Sequence, residues 1–404
     1  MKQPFSSRHN PTLPAALLAA ALGFSGSANA VGFTEALTGG EPRLDVRLRY
    51  ENVDQDNPSD DADALTVRTR LGYQTGSYKR LSAYVEMENN SALMEDYNSG
   101  PGGNGKVRYS VVADPEQTEV NQAFLGFSGI PDTTVRLGRQ RIILDNARFV
   151  GNVGWRQLEQ TYDAALVQNK SLPDTTLTYS YLDNIKNIFS TDVDISAHLL
   201  NAAYNGLGFG RVVGYGYFVG FDNDSGLADQ SAQTLGAYLD GSYDLGGFKL
   251  LYRAEYARQT DYDDGNKDID ADYKHFMLGA AVSGITVKVA YELLGDDDAY
   301  NFQTPLATKH AFNGWADIFL NTPPDGLQDV YVLVTGKAMG MKLLGVYHDF
   351  QSDAGSSDYG TEIDLLAAKK FGKHYSAGAK YASYDADDYA VDTDKFWLWG
   401  QLKF

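Results

Sequence analysis

Cysteine is missing from all 404 residues, so disulfide and thiolate chemistry are closed to this chain. Long apolar runs are missing too. After Leu13–Leu22 nothing approaches the roughly 20 apolar residues of a spanning helix, which excludes a helical inner-membrane protein. Histidine is sparse: His198, His275, His310, His348 and His374 are scattered beyond residue 30, with no H-E-x-x-H and no G-x-S-x-G. A lipase-like enzyme would need a Ser-His pair at a lipid-facing rim, and no motif supplies one; no cofactor is implied. Basic charge is short, 34 Lys and Arg against 53 Asp and Glu, and the net charge of −19 argues against a nucleic-acid partner.

What is present begins with an export signal. Lys2 and Arg8 precede the apolar run Leu13–Leu22, and Ala28-Asn29-Ala30 supplies a small-x-small cleavage site. Residues 1–30 are expected to be removed, leaving 31–404 as one exported unit. Asp261-Tyr262-Asp263-Asp264-Gly265 approaches a calcium loop, but its spacing misses the EF-hand pattern and the Glu is absent, so no metal site is assigned.

The exported part alternates. Arg43 to Tyr50 sets Leu44, Val46, Leu48 and Tyr50 against Arg43, Asp45, Arg47 and Arg49. Leu65 to Tyr73 repeats the pattern, with Arg68 and Arg70 on the polar face, and similar segments recur to the C-terminus. Period two over about 8–12 residues is longer than soluble strands of about 5–6 and suits tilted strands of about 9–11 that cross a bilayer. The last segment, Lys395 to Phe404, can turn Phe396, Leu398, Gly400, Leu402 and Phe404 to lipid. A final strand closed by Phe is what the outer-membrane insertion machinery of Gram-negative bacteria reads. Eight short connections alternate with nine long polar ones, which joins eighteen strands into an all-β, transmembrane antiparallel up-and-down barrel with short periplasmic turns and long extracellular loops. Only closure satisfies every backbone group in lipid. A soluble β-propeller predicts shorter strands in groups of four. Strands are least regular at Glu119–Phe127 and His198–Tyr204.

A barrel this wide encloses water. Arg47, Arg49, Arg68, Arg70, Arg136 and Arg253 are expected on its inner face, among carboxylates such as Asp45, Glu86, Glu88 and Glu255. Two readings stand: a lumen that attracts anions through planar guanidinium forks, or wall residues paired across strands. The loop Gln140–Gln160, with Arg139 just before it and Arg141, Arg148, Trp155 and Arg156 within it, is suited to folding inward and narrowing the pore. The loop Asn301–Gln328 is aromatic enough to pack over the barrel mouth. The acidic loops could bridge to lipopolysaccharide through divalent cations, or stand solvated.

Gly138-Arg139-Gln140-Arg141 with Asp145 to Gln157, and Asn301 to Thr308 with Phe312 to Phe319, resemble the alginate-export family of outer-membrane barrels. The resemblance implies an eighteen-stranded barrel with an arginine-rich lumen that passes anionic saccharides or small anions without an energy source. Its partners would be outer-membrane lipids and lipopolysaccharide, the insertion machinery and the solute. The family's polysaccharide exporter has a long gating turn in the periplasm, whereas every such turn here reads short. Uptake of small solutes, polymer export and a structural or adhesive surface barrel are thus the three expectations carried forward.

Overall fold

The structure, a computed structural model, describes residues 32–222, 225, 227–296 and 300–404; the expected signal at 1–30 lies outside them, as do Asp297 and Asp298 of an acidic loop. A short helix α1 (Phe33–Thr38) leads into eighteen strands: β1 (Glu41–Gln55), β2 (Ala62–Gln74), β3 (Leu81–Asp96), β4 (Gln117–Phe127), β5 (Thr133–Gln140), β6 (Thr161–Asn169), β7 (Thr175–Lys186), β8 (Asp192–Leu207), β9 (Gly210–Phe221), β10 (Ala232–Asp244), β11 (Lys249–Asp261), β12 (Asp270–Val282), β13 (Ile285–Leu294), β14 (Leu327–Ala338), β15 (Met341–Gln351), β16 (Asp358–Phe371), β17 (Tyr375–Ala386) and β18 (Thr393–Lys403). Each pairs antiparallel with its sequence neighbours. β18 returns to β1 through eleven paired positions, from Asp45↔Lys403 to Gln55↔Thr393, so the sheet has no open edge.

The side-chain alternation expected from the sequence decides which face meets lipid. Leu48, Leu71, Val85, Leu278, Leu365 and Leu398 are exposed on the outside, while their neighbours Arg49, Arg70, Glu86, Asp364 and Trp397 are buried within. The terminal Phe404 is outward, and its backbone exchanges hydrogen bonds with Leu44 at 2.8 and 3.2 Å.

Strands outrun the bilayer. β3 and β8 have 16 residues each, against the roughly 9–11 needed to cross. Ladder partners remain adjacent above the lipid, so four of the long polar connections are confined to 56–61, 97–116, 187–191 and 387–392. The irregular stretches mark bulges. A register shift at Glu86/Met87 brings both Asn121 and Gln122 of β4 onto Glu86 Oε1, at 2.8 and 3.0 Å, and another separates Tyr204 from Leu207 in β8.

Periplasmic connections range from two residues (208–209, 283–284, 339–340) to six (75–80), with no room for a gating turn. In Ser283-Gly284 and Met339-Gly340 all four residues have positive φ, the turn geometry that matches the twist of the flanking strands. α1 docks on the turn 75–80, where Gly76 N–H donates to the Ala36 carbonyl at 2.8 Å.

Candidate functional site: loops drawn into the lumen

The inner face of β1 and β2 carries Arg47, Arg49, Arg68 and Arg70, with Arg47 directly opposite Arg68 in the ladder. Like charges placed so closely need compensation, and each finds a different partner. Arg68 pairs with Asp45 at 2.6 Å, Arg70 with Glu88, and Arg49 with Glu51 at 3.1 Å and with Asp114. Arg47 takes none of these carboxylates. Its guanidinium donates to the carbonyls of Gly154 (3.3 Å), Trp155 (2.9 Å) and Arg156, and to Gln157 Oε1 (2.9 Å).

Those acceptors belong to the loop 141–160, which therefore lies inside the wall, as its Arg, Asn and aromatic content predicts. Arg156 forks onto Glu51 of β1 at 3.0 and 2.7 Å and onto Asp114, from the loop 97–116, at 3.2 and 3.0 Å. Arg141 grips Glu159 at the opposite end of the same loop, and Arg148 reaches Glu292 of β13 at 2.8 Å. Burial would raise the Asp114 carboxyl, but Arg156 and Arg49 outweigh it and hold the group below the usual carboxylate range. Glu159 is likewise lowered against its burial, chiefly by Arg70 and Arg141.

The loop segment 300–326 both packs at the mouth, where Phe319 meets Tyr359, Tyr384 and Tyr389, and descends into the lumen, because carboxylates on the wall receive its polar groups. Asn313 Nδ2 donates to Glu292 (2.9 Å) and Asp329 (3.1 Å), the Ala316 N–H to Glu362 (2.7 Å), and Asp317 accepts from Lys395 (3.0 Å). Gly314, at φ 84°, makes this approach possible, since a Cβ there would overlap the Glu362 carboxylate. The two loops also bind each other: Gly151 N–H donates to Leu306 at 2.8 Å, Thr308 N–H to Ala147 at 3.0 Å, and Trp155 stacks on His310 at 5.1 Å between ring centroids.

Lys380 of β17 can only donate, so its ammonium, 2.7 Å from His310 Nε2, assigns that nitrogen as the acceptor. The His310 Nδ1–H then donates to Asp317 at 2.6 Å. Burial, then the Lys380 and Arg156 cations, push the His310 imidazole down to about 3, so it is neutral where it sits.

Arg47, Arg49, Arg68, Arg70 and Arg253 of the wall face inward, the last paired with Glu255 (2.6 Å) and Asp240 (3.2 Å). Arg136 also faces inward, near Phe124, and Arg141, Arg148 and Arg156 join it from the loop. Arg139 does not. It has the parity of the outward Leu137, opposite Ala123, and pairs with Asp163 (2.7 Å) and Asp192 (3.3 Å) at the extracellular end of the outer face. The expectation placed it with the adjacent loop; the β5 alternation overrides that. Asp114, Glu51, Glu159 and His310 carry no local mark of membership in the site, and the inward lysines Lys380 and Lys395 give no sign of their partners in the sequence. Most lie more than 30 residues from the groups they bind, a separation no local pattern reveals. In the acidic loop 262–269, Lys267 bonds Asp261 at 2.8 Å and the Asp263 carbonyl at 3.1 Å.

A family model for alginate export matches residues 40–282. Among solved structures the chain is similar to OccAB4 of Acinetobacter baumannii, at 13% identity and a TM-score of 0.71 over 90% of this chain and 98% of that one. It is similar to OpdK of Pseudomonas aeruginosa, solved with vanillate, at 13% identity and a TM-score of 0.72 over 91% and 99%. It is also similar to OccK2 (OpdF) of Pseudomonas aeruginosa, solved in complex with glucuronate, at 11% identity and 0.68 over 91% and 99%. At such identities the likeness speaks for the fold. No curated protein matches the sequence. The family match spans more than half of the chain and falls on a closed barrel with lipid-facing apolar rows; the chain belongs to the alginate export family, as a β-barrel of the Gram-negative outer membrane.

Proposed function

We propose that this barrel is a passive channel for small polar solutes, with preference for anions such as sugar acids. The observation that carries the reading is the set of inward cations left without a carboxylate. Among the described residues, no ion pair forms at Arg43, Arg136, Lys249 or Lys288, which the register turns to the lumen on the periplasmic side of the loops, and Arg47 bonds only neutral groups. The other inward arginines are paired with carboxylates, so these five contribute a positive field that no described ion pair cancels. A low-dielectric wall focuses such a field and concentrates anions at the constriction. The acidic residues of the rim do not cancel it, because exposed charges beyond about 10 Å are screened at about 0.1 M salt.

Transport needs no energy source in this scheme, and the short periplasmic turns suit small solutes better than a gated polymer. The outward Phe396, Leu398 and Phe404 suit recognition by the insertion machinery, and the apolar outer rows suit lipid and lipopolysaccharide. The test is swelling of proteoliposomes in a sugar acid and in the neutral sugar of equal size. Faster entry of the acid is expected, and faster entry of the neutral sugar refutes the preference. One observation favours a second reading: Phe149, Phe302, Phe319, Phe350 and Trp397 belong to one continuous cluster inside the barrel. A sealed surface barrel that works through its loops needs such a filling, and no entry of either sugar would establish it.

A further inference from the structure

Lys380 is a buried cation with no carboxylate oxygen within 4.0 Å among the described residues, although Asp317 and Asp364 lie nearby. Aromatic faces take the place of a counter-ion. Its Nζ is 3.5 Å from the centre of the Trp315 ring, 4.4 Å from Trp155 and 5.5 Å from Trp397, and 2.7 Å from His310 Nε2. Trp155 comes from the loop 141–160, Trp315 and His310 from the loop 295–326, and Trp397 from the wall strand β18. One ammonium from β17 thus touches both inward loops. Indole is the best neutral partner for a desolvated cation, and a straight four-carbon stem delivers a compact charge to three rings at once.

We infer that Lys380 is a positioning residue that pins both luminal loops to the β17–β18 wall and thereby sets the width of the constriction. The geometric part stands independently of transport; the statement about width rests on the channel reading of the preceding subsection. Without the ammonium, the Trp155 and Trp315 faces lose their common centre, and His310 Nε2 loses its donor. The loops then separate from the wall while the barrel, closed by its own ladders, remains.

The absence of native cysteine makes the test direct. Ala316, 1% exposed beside Trp315, is replaced in A316C to give a single thiol. Its reaction with a membrane-impermeant maleimide is timed in outer-membrane fractions. With K380M added, labelling is expected to accelerate about thirtyfold, the equilibrium shift for losing one desolvated cation–π contact. K380R should restore most of the protection, because guanidinium also stacks on indole. W315L, which alters the loop and leaves the lysine, should accelerate labelling as K380M does and serves if K380M fails to assemble. Unchanged protection in both K380M and W315L overturns the pin. In planar bilayers K380M should raise the unitary current; faster labelling with an unchanged current overturns the role in width. If even the parent protein passes no current, the channel reading fails, and labelling alone decides the pin.

Discussion

The inward loops are held on two flanks by different chemistry. On the β1–β3 flank the anchors are charged: Arg47, Arg49 and Arg70 with Glu51, Glu88, Asp114, Arg156 and Glu159, all nearly excluded from solvent. On the β16–β18 flank a lysine sits among three tryptophans and a neutral histidine, with Lys395 and Asp317 closing the cluster. The first kind of anchor is directional and costly to half-remove, because a single deletion leaves an unpaired buried charge. The second is broader and more tolerant, since ring faces accept a cation from several directions. The difference teaches that loop register is specified on the charged flank and loop closure is adjusted on the aromatic one.

Breaking the charged flank should have the largest effect. R156M leaves Glu51 and Asp114 facing each other with only Arg49 between them, at a cost of about 3–5 kcal/mol. Limited trypsin digestion should then cut within 141–160 in a protein whose β-sheet circular dichroism is unchanged; resistance equal to the parent's would mean that the ion pairs are incidental.

Acid should weaken the aromatic flank first. His310 titrates near 6.5 when undocked and is pushed down to about 3 when docked, by burial and then by Lys380 and Arg156. As the pH falls below about 6.5, the undocked loop gains a proton that the docked loop refuses. The contribution of His310 to docking is therefore complete above that pH and is lost from there down to about 3. At pH 5 the loss is about 2 kcal/mol. Asp114, held low by its arginines, stays ionised through this window, so its pairs with Arg49 and Arg156 should persist. Maleimide labelling of A316C, normalised to an exposed control cysteine at each pH, should rise from pH 6.5 to pH 5. A flat ratio would contradict the assignment of His310 as the neutral acceptor. The smallest effect belongs to the outer rim. R139A removes a partly exposed pair worth under about 1 kcal/mol, and the current–voltage curve should not move; altered selectivity would return Arg139 to the lumen.

The wall was legible because period two is a local property. Arg43 to Tyr50 and Lys395 to Phe404 declare their faces within ten residues, and the ladder joining them closes the barrel. Where a bulge inserts a residue, as opposite Glu86, the alternation fails on paper while the strand persists. The inward path of 141–160 was readable from its composition, but not its destinations, because Glu51, Asp114 and Glu292 lie far along the chain. The aromatic content of 312–319 points to the mouth, where Phe319 does pack on Tyr389, but not to the depth the segment reaches. Its descent depends on Glu292, Asp329, Glu362 and Lys395, whose inward aim is plain only once strand parity is known. Lys380 stood in the sequence as one more polar wall position, and only the convergence of three tryptophans distinguishes it.

On the proposed reading, the unpaired cations Arg43, Arg47, Arg136, Lys249 and Lys288, with Lys380, leave the lumen net positive in a chain that is acidic as a whole. The reversal potential of the purified protein in a planar bilayer, under a potassium chloride gradient, tests it most directly. A potential with the sign for chloride preference is predicted, shifting toward zero in R136Q/K288Q. A potential with the sign for potassium preference would contradict it.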